Sequence, residues 1–212
     1  MAQQERAIET RRRLLVGAAK VFDERGYAAT SINEIQERSG VTKGAMYFHF
    51  KSKEEIARGV MAAQTEVPVE PRTPSVSPLQ QVIDLTQLLA QRLRTDVLFR
   101  ASIRLTVERG TFQTNDSDLY DWWLRAFGRE LVRAQGAGEL REDVVPEDVA
   151  ASVVGSFTGI QMLSHVKCGL SDLHERLTLW WQQILPGIAT PEAVCRALPA
   201  GSPELGLTGD GD

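Results

Sequence analysis

The chain has 212 residues, of which 42% are hydrophobic, enough to bury the core of one large or two small domains. Two cysteines, Cys168 and Cys195, are too few for a disulfide framework, and no apolar run reaches the roughly twenty residues of a membrane span, so neither is expected. The net charge of −4 excludes a protein that coats nucleic acid by charge alone, yet the charge is unevenly placed: residues 1–53 hold ten Lys/Arg against six Asp/Glu, residues 54–212 fourteen against twenty-two. A basic quarter on an acidic body is the electrostatic footprint of a nucleic-acid-reading head on a body with another task.

The first thirteen residues are charged and lack the apolar core of an export signal, so a cytoplasmic location is expected. Residues 5–25 read as an amphipathic helix with Ile8, Leu14, Leu15, Ala18, Ala19 and Phe22 on its buried stripe. Arg11, Arg12 and Arg13 sit early in it, either on a solvated face or, with Arg12 as the candidate, against a DNA backbone or minor groove. Gly26 ends the helix, and Tyr27 is expected to pack beneath the domain.

Residues 31–53 carry the most information. Ser31 with Glu34 spells a capping box that opens a helix, and Ile32 and Ile35 face inward. Ser39-Gly40 closes it, because glycine tolerates the positive φ of a helix C-terminus. Val41 anchors the turn and Thr42 caps the next helix. In that helix Met46 and Phe50 face inward, leaving Lys43, Gly44 and Tyr47 outside. Ser52 with Glu55 opens a further helix. This is the pattern of a helix-turn-helix, whose second helix enters the DNA major groove. Lys43 can reach a phosphate or a guanine edge, Gly44 lets backbone approach the duplex, and Tyr47, His49 and Lys53 are phosphate donors. The candidate DNA-contacting set is Arg12, Ser31, Thr42, Lys43, Gly44, Ala45, Tyr47, His49 and Lys53.

The segment GVTKGAMYFHFKSKEEI, preceded by FDERGYAATSINEI, resembles the DNA-binding domain of TetR-family transcriptional regulators. Within it TKGAMYFHFKSKE is similar to the γ-butyrolactone receptor subgroup, the autoregulator-binding repressors of actinomycetes. The resemblance covers about the first quarter of the chain. It implies an all-α fold: a three-helix head over residues 1–53, then a helical ligand-binding and dimerisation body over residues 54–198. Residues 199–212 are expected to be a disordered tail.

The helix opened by Ser52 is expected to reach about residue 66, with Ile56, Val60 and Gln64 on one face. Gln64 is then either a half-exposed end residue or a polar group of a ligand pocket. Residues 67–78 hold four prolines, which break helix and predict a flexible connector. Only helical patterns follow, over residues 78–94, 96–109, 117–135, 146–167, 171–185 and 190–197. Pro186-Gly187 is expected to stop the penultimate one.

Residues 146–167 are apolar nearly all round, as in a helix buried on two sides, one against the core and one against a second subunit. TetR-type regulators pair through two helices at this position. The expected dimer interface is Val153, Phe157, Ile160, Leu177, Trp180, Trp181 and Ile184. The resemblance places a ligand-packing tryptophan at Trp122, with Trp123 a neighbouring competitor. Together with Gln64, Phe127, Thr158, Gln161 and Met162 these outline a pocket for a small, mostly apolar, uncharged effector bearing a carbonyl or hydroxyl. Each also has an ordinary reading as core.

His165, Cys168 and His174 could offer three metal ligands at most, with no matching pair elsewhere, so no metal or other cofactor is expected. Neither phosphate-binding glycine motif occurs, and no enzyme activity is expected. The expected function is a dimeric repressor, one or two dimers on a palindromic double-stranded operator, released by a butyrolactone or butenolide. Three alternatives stand beside it: a repressor sensing an antibiotic or pathway intermediate, a ligand-independent regulator, and a helical enzyme or carrier that borrowed the head.

Overall fold

The computed structural model describes residues 2–62, 77–108 and 118–206. Ten α-helices appear among them: α1 Ala2–Ala29, α2 Ile32–Ser39, α3 Lys43–His49, α4 Lys53–Met61, α5 Pro78–Thr95, α6 Val97–Val107, α7 Asp118–Gly136, α8 Pro146–Cys168, α9 Leu173–Ile188 and α10 Pro191–Arg196. A single 3-10 turn, Pro203–Leu205, follows, and the extended pairing among the described residues is one isolated bridge, Leu140 with Ala189. The all-α class stands. Gln64, most of the proline-rich stretch and residues 207–212 lie outside the described residues.

The chain divides into two compact units. The first, Met1–Pro68 with Thr95–Leu119, holds α1–α4 and also α6, so the head extends past residue 53. Its core joins Leu14, Ala18 and Phe22 of α1, Ile35 of α2, Met46 of α3 and Ile56 and Val60 of α4 to Ala101 and Leu105 of α6. Ile8, expected on the buried stripe, is 62% exposed, because the core begins more than a turn and a half later, at Leu14.

Gly26 interrupts α1 with φ +75° and ψ 174°, and the chain re-enters a final turn to Ala29. The break turns the Tyr27 N–H outward to donate to the Glu108 carboxylate at 2.9 Å. Glu108 also accepts from Arg104 at 2.7 Å, and Arg100 grips Asp23 of α1 in a two-pronged ion pair. Acidic groups of α1 and the end of α6 are thus answered by arginines of α6 within one unit. Gly17 sets the α1–α2 approach: a Cβ there would lie 2.6 Å from the Ser39 Cα.

The second unit, Val69–Arg94 with Tyr120–Asp212, holds α5 and α7–α10. Its centre is polar as well as apolar. Trp181 is fully buried and its Nε1–H donates to the Thr86 hydroxyl at 2.9 Å. Gln87, also fully buried, donates to Thr178 and to the Pro199 carbonyl and meets the His174 Nδ1 at 2.9 Å. Residues 199–206 are consequently not a loose tail: Gln80, Asp84 and Gln87 of α5 capture the backbone at Leu198, Pro199 and Ser202. Pro186 lies inside α9 rather than ending it, since the helix runs on to Ile188.

Helix α8 is long and apolar enough on average to cross a membrane, by length and composition only, although scattered Ser, Thr, Gln and Gly residues break its apolar run well short of twenty. Its two faces differ: Val149, Val153, Phe157, Gln161 and Ser164 are buried, whereas Met162, Leu163 and Val166 are exposed.

Candidate nucleic-acid interface

The helix-turn-helix is held by caps at each joint. The Ser31 hydroxyl accepts from the Glu34 N–H, and the Glu34 carboxylate accepts from the Ser31 N–H at 2.8 Å, closing the capping box. Gly40 adopts φ +62° and its N–H returns to Gln36 and Glu37. Arg13 of α1 donates to the Ser39 and Gly40 carbonyls, tying the turn to the first helix. Thr42 then caps α3 by accepting from the Ala45 N–H.

Met46, 1% exposed, pins α3 to the core. Lys43 and Gly44 are exposed, as is Tyr47, at 44%. Ala45 and His49 are partly buried at the edges of this face. The set Thr42, Lys43, Gly44 and Tyr47 is therefore brought onto one open surface. Ser31 is exposed at the α2 N-terminus with its hydroxyl engaged in the cap.

Lys53 does not join that surface. Its ammonium donates to the Tyr27 and Thr30 carbonyls at 2.9 and 2.8 Å and lies 4.3 Å from the Tyr27 ring centroid. The cation closes the carbonyl-rich end of α1, a structural role that a spacing pattern does not reveal. Arg12 is exposed and lines a cleft of about 280 Å³ with Arg13, Val16, Gly17, Lys20, Arg38 and Ser39. Arg38 is held there by Glu24 through two hydrogen bonds of 2.7 and 2.9 Å, which keep the Glu24 carboxyl below its usual pKa.

One residue of α3 escaped the sequence reading. Phe48 is 80% exposed, beside His49 with ring centroids 5.1 Å apart. Its position two residues after the buried Met46, about 200° round the helix, was the available signal.

In the body, Trp123 and Phe127 are buried and Trp122 partly so; the two indoles meet edge-on at 4.6 Å. Gln161 is 7% exposed, on the same stripe of α8 as Val153 and Phe157, and its amide makes no hydrogen bond among the described residues. The Thr158 hydroxyl is spent on the Val154 carbonyl at 2.8 Å. Met162 is 45% exposed and sits on the outer face of α8, not in the interior expected for it. The expected interface divides likewise. Val153, Leu177 and Trp181 are wholly buried and Phe157 nearly so, which leaves them almost no surface for a partner. Ile160, Trp180 and Ile184 retain part of theirs, beside exposed Met162, Leu163, Val166 and Leu179. A one-letter pattern shows that α8 is apolar all round but not which side meets its own core.

Residues 14–60 match the bacterial regulatory proteins of the tetR family. Over 205 residues the chain is 41% identical to the A-factor receptor protein of Streptomyces griseus, covering 97% of this chain and 73% of that one. Full-length TylP, a TetR regulator from Streptomyces fradiae, superposes with a TM-score of 0.78 at 42% identity, covering 96% of this chain and 89% of that one. A γ-butyrolactone receptor described as ArpA-like gives a TM-score of 0.79 at 26% identity, with 96% and 100% covered. The helix-turn-helix, the helical body and this likeness over nearly the whole length agree: the chain is a transcriptional repressor of the TetR family.

Proposed function

We propose that the protein binds a palindromic operator as a homodimer and is released from it by a small, apolar, uncharged ligand of the γ-butyrolactone or butenolide type. The observation that carries the ligand half is Gln161. It lies on the inner stripe of α8 with 7% of its surface exposed, and no described residue engages its amide. A lactone carbonyl or hydroxyl would hydrogen-bond that amide, and apolar and aromatic side chains such as Trp122, Trp123 and Phe127 of α7 suit the rest of such a ligand. The A-factor receptor and the γ-butyrolactone receptor named above make this ligand class the natural one to test.

The DNA half rests on α3, which buries Met46 and leaves Lys43, Gly44 and Tyr47 exposed. The dimer half rests on the apolar outer face of α8 and α9, with Val166 82% exposed in the single chain. A lone seven-residue recognition helix touches few bases, and a two-fold pair reading a palindrome multiplies the discrimination. Release requires that the ligand favour one spacing of the two recognition helices over the other, for equal affinity shifts nothing. Such a regulator works in the cytoplasm, where its operator lies.

Fluorescence anisotropy of a selected operator duplex, with and without a γ-butyrolactone, tests this. The proposal expects operator affinity to fall at least tenfold in saturating ligand, and Gln161→Leu to lose the response while keeping its fold and its operator affinity. A ligand that binds yet leaves operator affinity unchanged removes the proposal.

A further inference from the structure

On α3 the residues pointing straight away from the core are not the polar ones. At about 100° per residue, Gly44 and Phe48 fall within roughly 20° of the direction opposite Met46, whereas Lys43, Tyr47 and His49 lie to the sides. Phe48 is thus an aromatic ring held in water at 80% exposure on the outermost stripe of the recognition helix. The other residue of that stripe has no side chain, and a Cβ added at Gly44 would meet nothing within 4 Å among the described residues. No packing among the described residues calls for a glycine in α3, where glycine is a poor helix former. The vacancy at Gly44 and the exposed ring one turn later complement each other: backbone comes close at the first, and the ring reaches deeper at the second.

From this stripe, and resting on the reading of α3 as the operator-binding helix, we infer that Phe48 reads the C5-methyl group of a thymine in the major groove. That methyl is the apolar feature the major-groove base edges offer, and a hydrocarbon ring has no hydrogen bond to make with the others. His49, edge-on to the ring at 5.1 Å, limits its swing. Lys43 and Tyr47 then supply polar contacts that position the helix, and Phe48 supplies discrimination between a thymine and every base lacking a methyl.

The full-length protein and its Phe48→Ala variant are each used to enrich binders from a random-sequence duplex pool. The wild-type winner is then resynthesised with each thymine in turn replaced by uracil, which removes only the methyl. One methyl buried per half-site corresponds to about fourfold in affinity, about fifteenfold when both half-sites are changed. The inference expects one thymine per half-site whose replacement by uracil costs the wild type that much and costs Phe48→Ala less than twofold, with an unchanged melting temperature showing an intact fold. If Phe48→Ala keeps the full thymine-over-uracil preference, or if no uracil replacement affects the wild type, Phe48 does not read thymine. If the wild type enriches no duplex at all, the operator-binding reading falls and takes this one with it.

Discussion

Replacing Gly44 by alanine separates folding from DNA reading, because the two should move in opposite directions. A Cβ at this position meets nothing within 4 Å among the described residues, so no clash there opposes it. Alanine is favoured over glycine in a helix by up to about 1 kcal/mol, and by roughly half of that in the first turn, where Gly44 sits directly after Lys43. At about 2–4 °C per kcal/mol for a chain of this size, the melting temperature should rise by roughly 1–2 °C. On the operator the same methyl lies where helix backbone and base edges must meet. Forcing it into a fitted surface costs about 1–3 kcal/mol, or roughly 5- to 150-fold in affinity per half-site. Calorimetric melting and operator titration of one purified sample measure both. Undiminished operator affinity in Gly44→Ala would show that α3 does not approach the duplex along this stripe, and the docking face would have to be redrawn.

Lys53→Met removes a cation from the Tyr27 and Thr30 carbonyls; it should destabilise by about 2 kcal/mol while leaving the salt dependence of operator binding unchanged, since no phosphate contact is lost. Lys43→Glu should abolish operator binding with dimerisation intact by sedimentation. Val166→Glu places a charge on the exposed apolar face of α8 and should yield folded monomers that no longer protect an operator from nuclease. Burial, with a smaller contribution from Arg94, holds the His174 pKa below its ordinary 6.5, so its stabilising effect is complete above pH 6.5 and is lost as pH falls through the lower folded value. Urea titrations at pH 7 and pH 5 should therefore show a smaller acid-induced loss of stability in His174→Gln than in the wild type.

Local signals in the head were legible because each is a short-range physical rule. Ser31 and Glu34, Gly40, Thr42 and Met46 announce caps, turn and anchor within four residues of their partners, and all sit where those rules put them. What was hidden depends on distant partners. That Lys53 turns inward follows from two carbonyls more than twenty residues earlier. That α6 belongs with the head follows from Arg100 finding Asp23, a pairing across 77 residues. In the body, composition marked α8 and α9 as important without telling the inner stripe of Phe157 and Gln161 from the outer one of Met162 and Val166. Leu177 and Trp181, expected against a partner, are buried completely by their own chain.

The central claim is that ligand and operator oppose each other through one protein, and thermodynamic linkage makes it measurable from the ligand's side. Calorimetric titration of a γ-butyrolactone into the free dimer and into the dimer saturated with operator gives two dissociation constants. The account predicts that operator weakens the lactone by the same factor by which the lactone weakens operator. Equal lactone affinities in the two titrations would contradict it.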